Sequence, residues 1–265
     1  NDLGVIEESS GNKKTAKNLF KKSCDNNEIK GCFDLGRLEF LSNNKDKAIK
    51  LWEKSCAKNH IKSCGNLARI YFGEGKTKVA KKYFIKSCDG NDFFSCNMLG
   101  SKEEENGNQK RAKELYKKGC NGNHYDSCYD LGRIEHKQGN KKQAMKLYKQ
   151  SCKKNVAIAC NYLGDVSFQA DDLKTAKTYY KKACDGNHPQ SCFNLGFILG
   201  QDGKMDQTTV FWSKACDGKF MKACFALGGY EFENDNKAKG MKLVKKACDG
   251  GFKDACAAYK KLQSM

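Results

Sequence analysis

Proline occurs once in this chain of 265 residues, arginine and histidine four times each, and no long apolar run interrupts the charges. A membrane-spanning helix needs about 20 consecutive apolar residues, so none is expected here. With one proline, almost no position forbids a helix, which argues against a turn-rich β-sandwich. Disorder is argued against by the 11% aromatic content, since such a chain buries enough surface to offset its ordering entropy. What is abundant is lysine and cysteine: 49 Lys and Arg against 31 Asp and Glu leave a net charge of +18, and there are 16 cysteines.

The cysteines stand at Cys24, Cys32, Cys56, Cys64, Cys88, Cys96, Cys120, Cys128, Cys152, Cys160, Cys184, Cys192, Cys216, Cys224, Cys248 and Cys256. Members of a pair are 8 residues apart and successive pairs 32 apart, without exception. A fixed period of this length is the signature of a repeat array. The expectation is a single repeat domain over residues 1–265, with no linker inside it.

Each unit reads as two amphipathic helices. Eight residues before the first cysteine of a pair stands a small residue, Ala16, Ala48, Ala80, Ala112, Ala144 or Ala176. Four before it stands a large one: Phe20, Trp52, Phe84, Tyr116, Tyr148, Tyr180, Trp212 or Val244. Apolar positions three and four apart on a Lys-rich segment describe a helix with one buried face. Gly90, Gly122, Gly186, Gly218 and Gly250, two residues past the cysteine, are expected to be its left-handed caps. After the second cysteine comes Leu-Gly at plus three and plus four, as in Leu35-Gly36 and Leu131-Gly132. Gly inside a helix costs about 0.5–1 kcal/mol, so its recurrence predicts a close approach of a neighbouring helix backbone. The copy at Cys96–Asn106 is the weakest, with Lys102-Glu-Glu-Glu where others are apolar. Asn1-Asp-Leu-Gly matches Phe33-Asp-Leu-Gly one period on, and Tyr259-Lys260 replaces Leu-Gly in the last copy. The fold class is therefore all-α: a solenoid of eight antiparallel helix pairs plus a capping helix at about 255–264.

Two cysteines flanking a short connection between antiparallel helices come within the roughly 5.5–6 Å that a disulfide favours. Zinc sites usually pair cysteines only about two to four residues apart, and a reactive thiol would be singular. Local disulfides, one per repeat, are the favoured reading, and they imply an oxidising compartment, periplasmic or extracellular.

The arrangement Tyr-Lys-Lys-Ala-Cys184-Asp-Gly-Asn-His-Pro-Gln-Ser-Cys192-Phe-Asn-Leu-Gly resembles the Sel1-like repeat. Its cysteine spacing resembles the disulfide-bridged version, the Helicobacter cysteine-rich protein family. That resemblance implies tetratricopeptide-like helix pairs in a right-handed superhelix, export, and, for some members, penicillin binding with slight β-lactamase activity. Repeats of that family usually run to 36 residues with a Gly-x-Gly loop, whereas these units have 32 and lack it.

Chemistry-bearing motifs are sparse. Ser-x-x-Lys occurs at Ser10, Ser42, Ser55 and Ser151, no more than a Lys-rich chain produces by chance, and Ser-Asp-Asn and Lys-Thr-Gly are absent. His60, His124 and His188 share one repeat position and lie too far apart to share a metal, while His136 stands alone. No catalytic residue, metal or cofactor is expected. A binding site has better support. Arg37, Arg69 and Arg133 recur five residues after the second cysteine, with Asp34, Asn66 and Asp130 three residues before them. Tyr162, Asn194 and Phe197 occupy these positions in later units. Such a ladder holds a peptide backbone or carboxylate, the guanidinium fork suiting carboxylates bidentately. By analogy with tetratricopeptide repeats it would line a concave groove.

The expected function is an exported, monomeric scaffold binding a protein or peptide, with charge favouring an acidic partner and peripheral contact with the anionic cell envelope. Scarce arginine and the oxidising compartment argue against nucleic acid. A weak β-lactam-hydrolysing enzyme and a periplasmic immunity or adaptor protein are the alternatives.

Overall fold

The computed structural model describes residues 1–264, and every described element is helical. The chain forms two compact units, residues 1–134 and residues 135 onward. The first contains α1 (Asp2–Ser9), α2 (Lys13–Asp25), α3 (Ile29–Leu41), α4 (Lys45–Ala57), α5 (Ile61–Gly73), α6 (Thr77–Asp89), α7 (Phe93–Glu105), α8 (Gln109–Asn121) and most of α9 (Tyr125–Lys137). The second continues with α10 (Lys141–Lys153), α11 (Ala157–Gln169), α12 (Leu173–Asp185), α13 (Pro189–Gln201), α14 (Met205–Asp217), α15 (Met221–Glu233), α16 (Lys237–Asp249) and α17 (Lys253–Gln263). Odd-numbered helices are called first helices and, from α3 onward, carry a second cysteine in their first turn; even-numbered ones carry a first cysteine near their end. Each unit is a stretch of α-solenoid, and the weak copy at α7 is helical like the rest.

Two kinds of junction alternate. First helices pack most extensively on the second helix that follows, as α3 on α4 and α11 on α12. Here the recurrent glycine is explained. A Cβ on Gly36, Gly100, Gly164 or Gly196 would stand 2.6–2.7 Å from the ring of Trp52, Tyr116, Tyr180 or Trp212. The expected neighbour was a helix backbone, and an aromatic side chain takes that place at most copies. At Gly228, where Val244 replaces the ring, the carbonyl of Gly240 comes to 3.2 Å of the same point. The small Ala16, Ala48, Ala80, Ala112 and Ala144 complete this seam, all essentially inaccessible.

The other junction, from a second helix to the next first helix, is packed less extensively and carries the covalent link. All eight cysteine pairs close locally as disulfides, from Cys24–Cys32 to Cys248–Cys256. Their Cα atoms are 4.4–4.9 Å apart, closer than expected. The residues just before each cysteine allow this, because both are always small: Ser23 opposite Gly31, Gly119 opposite Ser127, Ala215 opposite Ala223. A Cβ on Gly31 would meet Ser23 Oγ at 2.2 Å.

The caps differ from expectation by one residue. Gly90, Gly122, Gly186, Gly218 and Gly250 have φ between −72° and −85°. The left-handed residue at this junction is the next one: Asn27, Asn59, Asn91, Asn123, Asn155 or Asn187 at φ 59–67°, Lys219 at 65° and Gly251 at 89°. Asparagine tolerates that region through its short polar side chain. The preceding glycines serve packing instead: a Cβ on Gly90 would strike Ile61 at 2.2 Å, and one on Gly122 would strike Phe93 at 2.2 Å.

Candidate functional site

In the first unit the ladder arginines are engaged within the protein. Arg37 donates from Nη1 to Glu8 Oε1 at 2.7 Å and pairs with the second oxygen through Nη2, so its fork ties α3 to α1. Its Nε lies 3.9 Å from Asp34, which also accepts from Asn1 Nδ2 at 3.0 Å. The Arg37 hydrogen bonds hold the Glu8 carboxyl below the usual carboxylate range. Arg133 repeats the pattern three repeats on, 2.6 Å from Glu104 and 3.4 Å from Asp130, and Asn97 donates to Asp130 at 2.8 Å. Burial pushes the Asp130 carboxyl up despite these donors. Arg69 bonds Asn66 at 3.2 Å, lies 3.5 Å from Asp92 on the next layer, and sits 4.6 Å over the Phe94 ring. The acidic run of α7 is used here too: Glu103 takes Lys81 and Asn108, each at 2.7 Å.

In the second unit the same positions line two adjoining clefts. One, of about 460 Å³, lies between α10 and α11 and is lined by His136, Lys141, Met145, Tyr148, Tyr162, Asp165 and Gln169 among others. Tyr162 packs against Tyr148 at 4.3 Å between ring centres and against His136 at 5.8 Å. The other, of about 360 Å³, is lined by Asp165, Phe168 and Gln169 of α11, Tyr180 of α12, Gln190, Phe193, Asn194 and Phe197 of α13, and Lys222 of α15. Phe168 and Phe197 stay exposed at 38% and 44%. Asp165 and Gln169 belong to both clefts. The Asp165 carboxylate takes the Tyr180 hydroxyl at 2.7 Å, Asn161 Nδ2 at 2.9 Å and Asn194 Nδ2 at 3.5 Å. Burial, then Asp165, raise the Tyr180 and Tyr162 phenols, which remain neutral donors at physiological pH. The predicted Tyr162, Asn194 and Phe197 thus fall at adjoining clefts. Asp165, Phe168, Phe193 and Lys222 were missed, though Asp165 occupies the ladder position of Arg37 and Phe168 the position of Glu8.

The remaining candidates have structural roles. His60, His124 and His188 each place Nδ1 2.9 Å from the hydroxyl of the serine three residues on. In His60 and His124 this nitrogen also accepts the serine N–H, at 3.3 and 3.4 Å, capping α5 and α9. Of the Ser-x-x-Lys serines, Ser55 and Ser151 are buried and donate to the carbonyls of Leu51 and Leu147 in their own helices. Some lysines ahead of a first cysteine cap the preceding repeat: Lys118 Nζ reaches the Cys88 carbonyl at 2.7 Å and Lys54 the Cys24 carbonyl at 3.2 Å. A cation there offsets the helix dipole. Among the described residues no cluster of three metal-ligating side chains occurs, and no helix is long and apolar enough to cross a membrane.

Comparison with known proteins agrees with this architecture. The Sel1 repeat model matches residues 30–60, 94–124, 157–188 and 222–252, and a tetratricopeptide repeat model matches 61–89 and 125–153. The fold is similar to that of c5321, a protective antigen of uropathogenic Escherichia coli with an SLR fold, at TM-score 0.81 and 20% identity. That match covers 94% of this chain and 60% of the other, so this chain spans well under two thirds of its length. A Sel1 repeat protein from Oxalobacter formigenes matches at TM-score 0.63 and 18% identity, over 71% of this chain and 85% of that one. Yeast Tom70 matches at 0.55 and 14%, over 95% and 58%. At these identities the likeness concerns the fold alone. No curated protein sequence matches the chain.

Proposed function

We propose that this Sel1-like, tetratricopeptide-type repeat protein, with a disulfide in each repeat, is an exported scaffold that binds a protein or peptide through the face of its first helices. That face carries Asp34, Arg37, Asn66, Arg69, Asp130 and Arg133 in the first unit and Tyr162, Asn194 and Phe197 in the second. The supporting observation is the pair of adjoining clefts in the second unit, where exposed Phe168 and Phe197 stand beside Gln169 and Gln190, which make no side-chain hydrogen bond among the described residues. Exposed rings beside amides that donate and accept suit a peptide chain. The arginine ladder of the first unit, pre-ordered by its carboxylates, offers polar contacts of its own.

Eight disulfides suggest an oxidising compartment, and we place the protein in the periplasm or outside the cell. Assignment to the Helicobacter cysteine-rich family is part of this proposal and rests on the cysteine spacing. Turnover of a chromogenic β-lactam is expected to stay at background, because Ser55 and Ser151 are buried and no Ser-x-x-Lys serine, the exposed Ser10 and Ser42 included, is accompanied by Ser-Asp-Asn or Lys-Thr-Gly.

The test is affinity for the partner captured from native extracts. Phe168→Ala with Phe197→Ala, or Arg37→Ala with Arg69→Ala, should weaken binding at least tenfold with helical content unchanged. Lys181→Ala with Lys182→Ala should cost less and mainly at low salt, since rim lysines act mostly on encounter rate. A lysine pair more damaging than both other pairs would move the site to the basic face of the second helices.

A further inference from the structure

The two clefts of the second unit carry a more specific reading, which rests on the protein-binding proposal above. They lie one repeat apart, the first walled by Tyr148, Tyr162 and Met145, the second by Phe168, Phe193 and Phe197. Each has one lysine at its rim, Lys141 and Lys222, and neither forms an ion pair among the described residues. Lys222 Nζ stands 5.3 Å over the Phe193 ring and is held at the cleft by it. The only carboxylate in either cleft, Asp165, already receives the Tyr180 hydroxyl and two asparagine amides. Its oxygens are therefore occupied by donors from inside the protein, and the two lysines exceed its single charge at the clefts.

Adjacent packed helices lie about 8–10 Å apart, and a chain in the polyproline-II form advances about 3.1 Å per residue with about three residues per turn, so side chains three residues apart share a face and reach neighbouring clefts. Gln169, shared by both clefts, and Gln190, at the second, make no side-chain hydrogen bond among the described residues and are open to a peptide backbone.

We infer that the second unit recognises an extended acidic peptide segment in which two aromatic or large apolar side chains, three residues apart, occupy the two clefts while flanking carboxylates meet Lys141 and Lys222. The net charge of +18 favours the same sign of partner over longer range.

The test uses the full oxidised chain and a fluorescein-labelled peptide, Glu-Glu-Phe-Ser-Ser-Phe-Glu-Glu, read by fluorescence polarisation. Saturable binding is expected, and it should weaken at least tenfold when the two Phe are moved one residue closer or when the Glu are replaced by Lys. Phe197→Ala and Met145→Ala should each cost about tenfold. Lys222→Gln, at an exposed position that cannot unfold the chain, should cost several-fold and flatten the salt dependence. Val210→Ala, on exposed α14 away from both clefts, should change nothing. Absence of binding, equal affinity for the shifted or Lys-flanked peptide, or indifference to Phe197→Ala and Lys222→Gln would each overturn the inference. So would competition by heparin as strong as by the peptide, which would mark a general polyanion surface. A native partner that depends on Phe168 and Phe197 but is not displaced by the peptide would leave the protein-binding proposal standing and remove this one.

Discussion

Gly228 and Gly229 are adjacent in α15, both helical, and alanine at the two should act in opposite directions. Alanine gains about 1 kcal/mol over glycine in a helix interior at either site. At Gly229 nothing lies within 4 Å of the new Cβ, so the gain is kept, and stability should rise by about 0.4–1 kcal/mol. At Gly228 the Cβ would stand 2.8 Å from Val244 Cγ2, 3.2 Å from the Gly240 carbonyl and 3.3 Å from the Val244 nitrogen. Carbon atoms prefer about 3.5–4.0 Å, and two of these neighbours are backbone. Only a separation of α15 from α16 relieves the contact. Overpacking of this kind costs about 1–3 kcal/mol, which exceeds the propensity gain and leaves a net loss of up to about 2 kcal/mol. Repeat arrays do not always unfold in one step, so the readout is amide hydrogen exchange of α15 and α16 with disulfides intact, alongside thermal melting. Protection in these helices should fall in Gly228→Ala and rise in Gly229→Ala. If both variants gained stability, the seam would be loose and the account of the recurrent glycine would be wrong.

Three further outcomes are expected. The Arg37–Glu8 fork should show a coupling of at most about 1 kcal/mol in a double-mutant cycle with Arg37→Ala and Glu8→Ala, as both side chains are partly solvated; zero coupling would remove its role as a tie between α1 and α3. Burial holds the His60 and His188 imidazoles below their ordinary range, against the pull of Asp34 and Asp165 respectively and, at His60, with the help of Lys62. The unfolded chain then binds protons first, so stability is fully present above about pH 6.5, is lost as pH falls through the range down to the depressed folded values, and levels off below them. The melting temperature should drop between pH 7.5 and pH 5, and His60→Asn with His188→Asn, which places a favoured N-cap residue at both positions, should flatten that change. Lys118→Met should lower stability by about 0.3–1 kcal/mol through loss of the cation at the Cys88 carbonyl, measured by thermal melting at low salt.

Helix pairs and disulfides were legible because one physical constraint repeats eight times, and a period of 32 leaves little freedom to misread it. The glycine cap was placed one residue early because Gly and Asn occupy consecutive positions, as in Asp185-Gly186-Asn187, and both are turn formers. Only the contact of Gly186 with Ala157 from the neighbouring helix separates packing from conformation there. The Arg37 fork was legible as a recurrence but not as an ion pair, since Glu8 lies 29 residues away in the preceding copy. The clefts at Asp165 were least legible. They exist because the copy at α11 carries Asp165 and Phe168 where the preceding copy carries Arg133 and His136, and a departure confined to one copy leaves no recurrence to read.

The account rests most directly on the redox state of the sixteen cysteines in the native cell. Cells quenched in acid and alkylated before lysis should yield a protein with no alkylated cysteine and an intact mass sixteen hydrogens below that of the reduced chain. Local closure should follow from non-reducing digests, with Cys120 joined to Cys128 and each other pair likewise. Closing a ring of about nine residues contributes roughly 2.5 kcal/mol on the chain-entropy model, so a fully oxidised array gains at every less extensively packed junction. Alkylation approaching sixteen sites in freshly quenched cells would contradict the disulfide-stapled, exported scaffold.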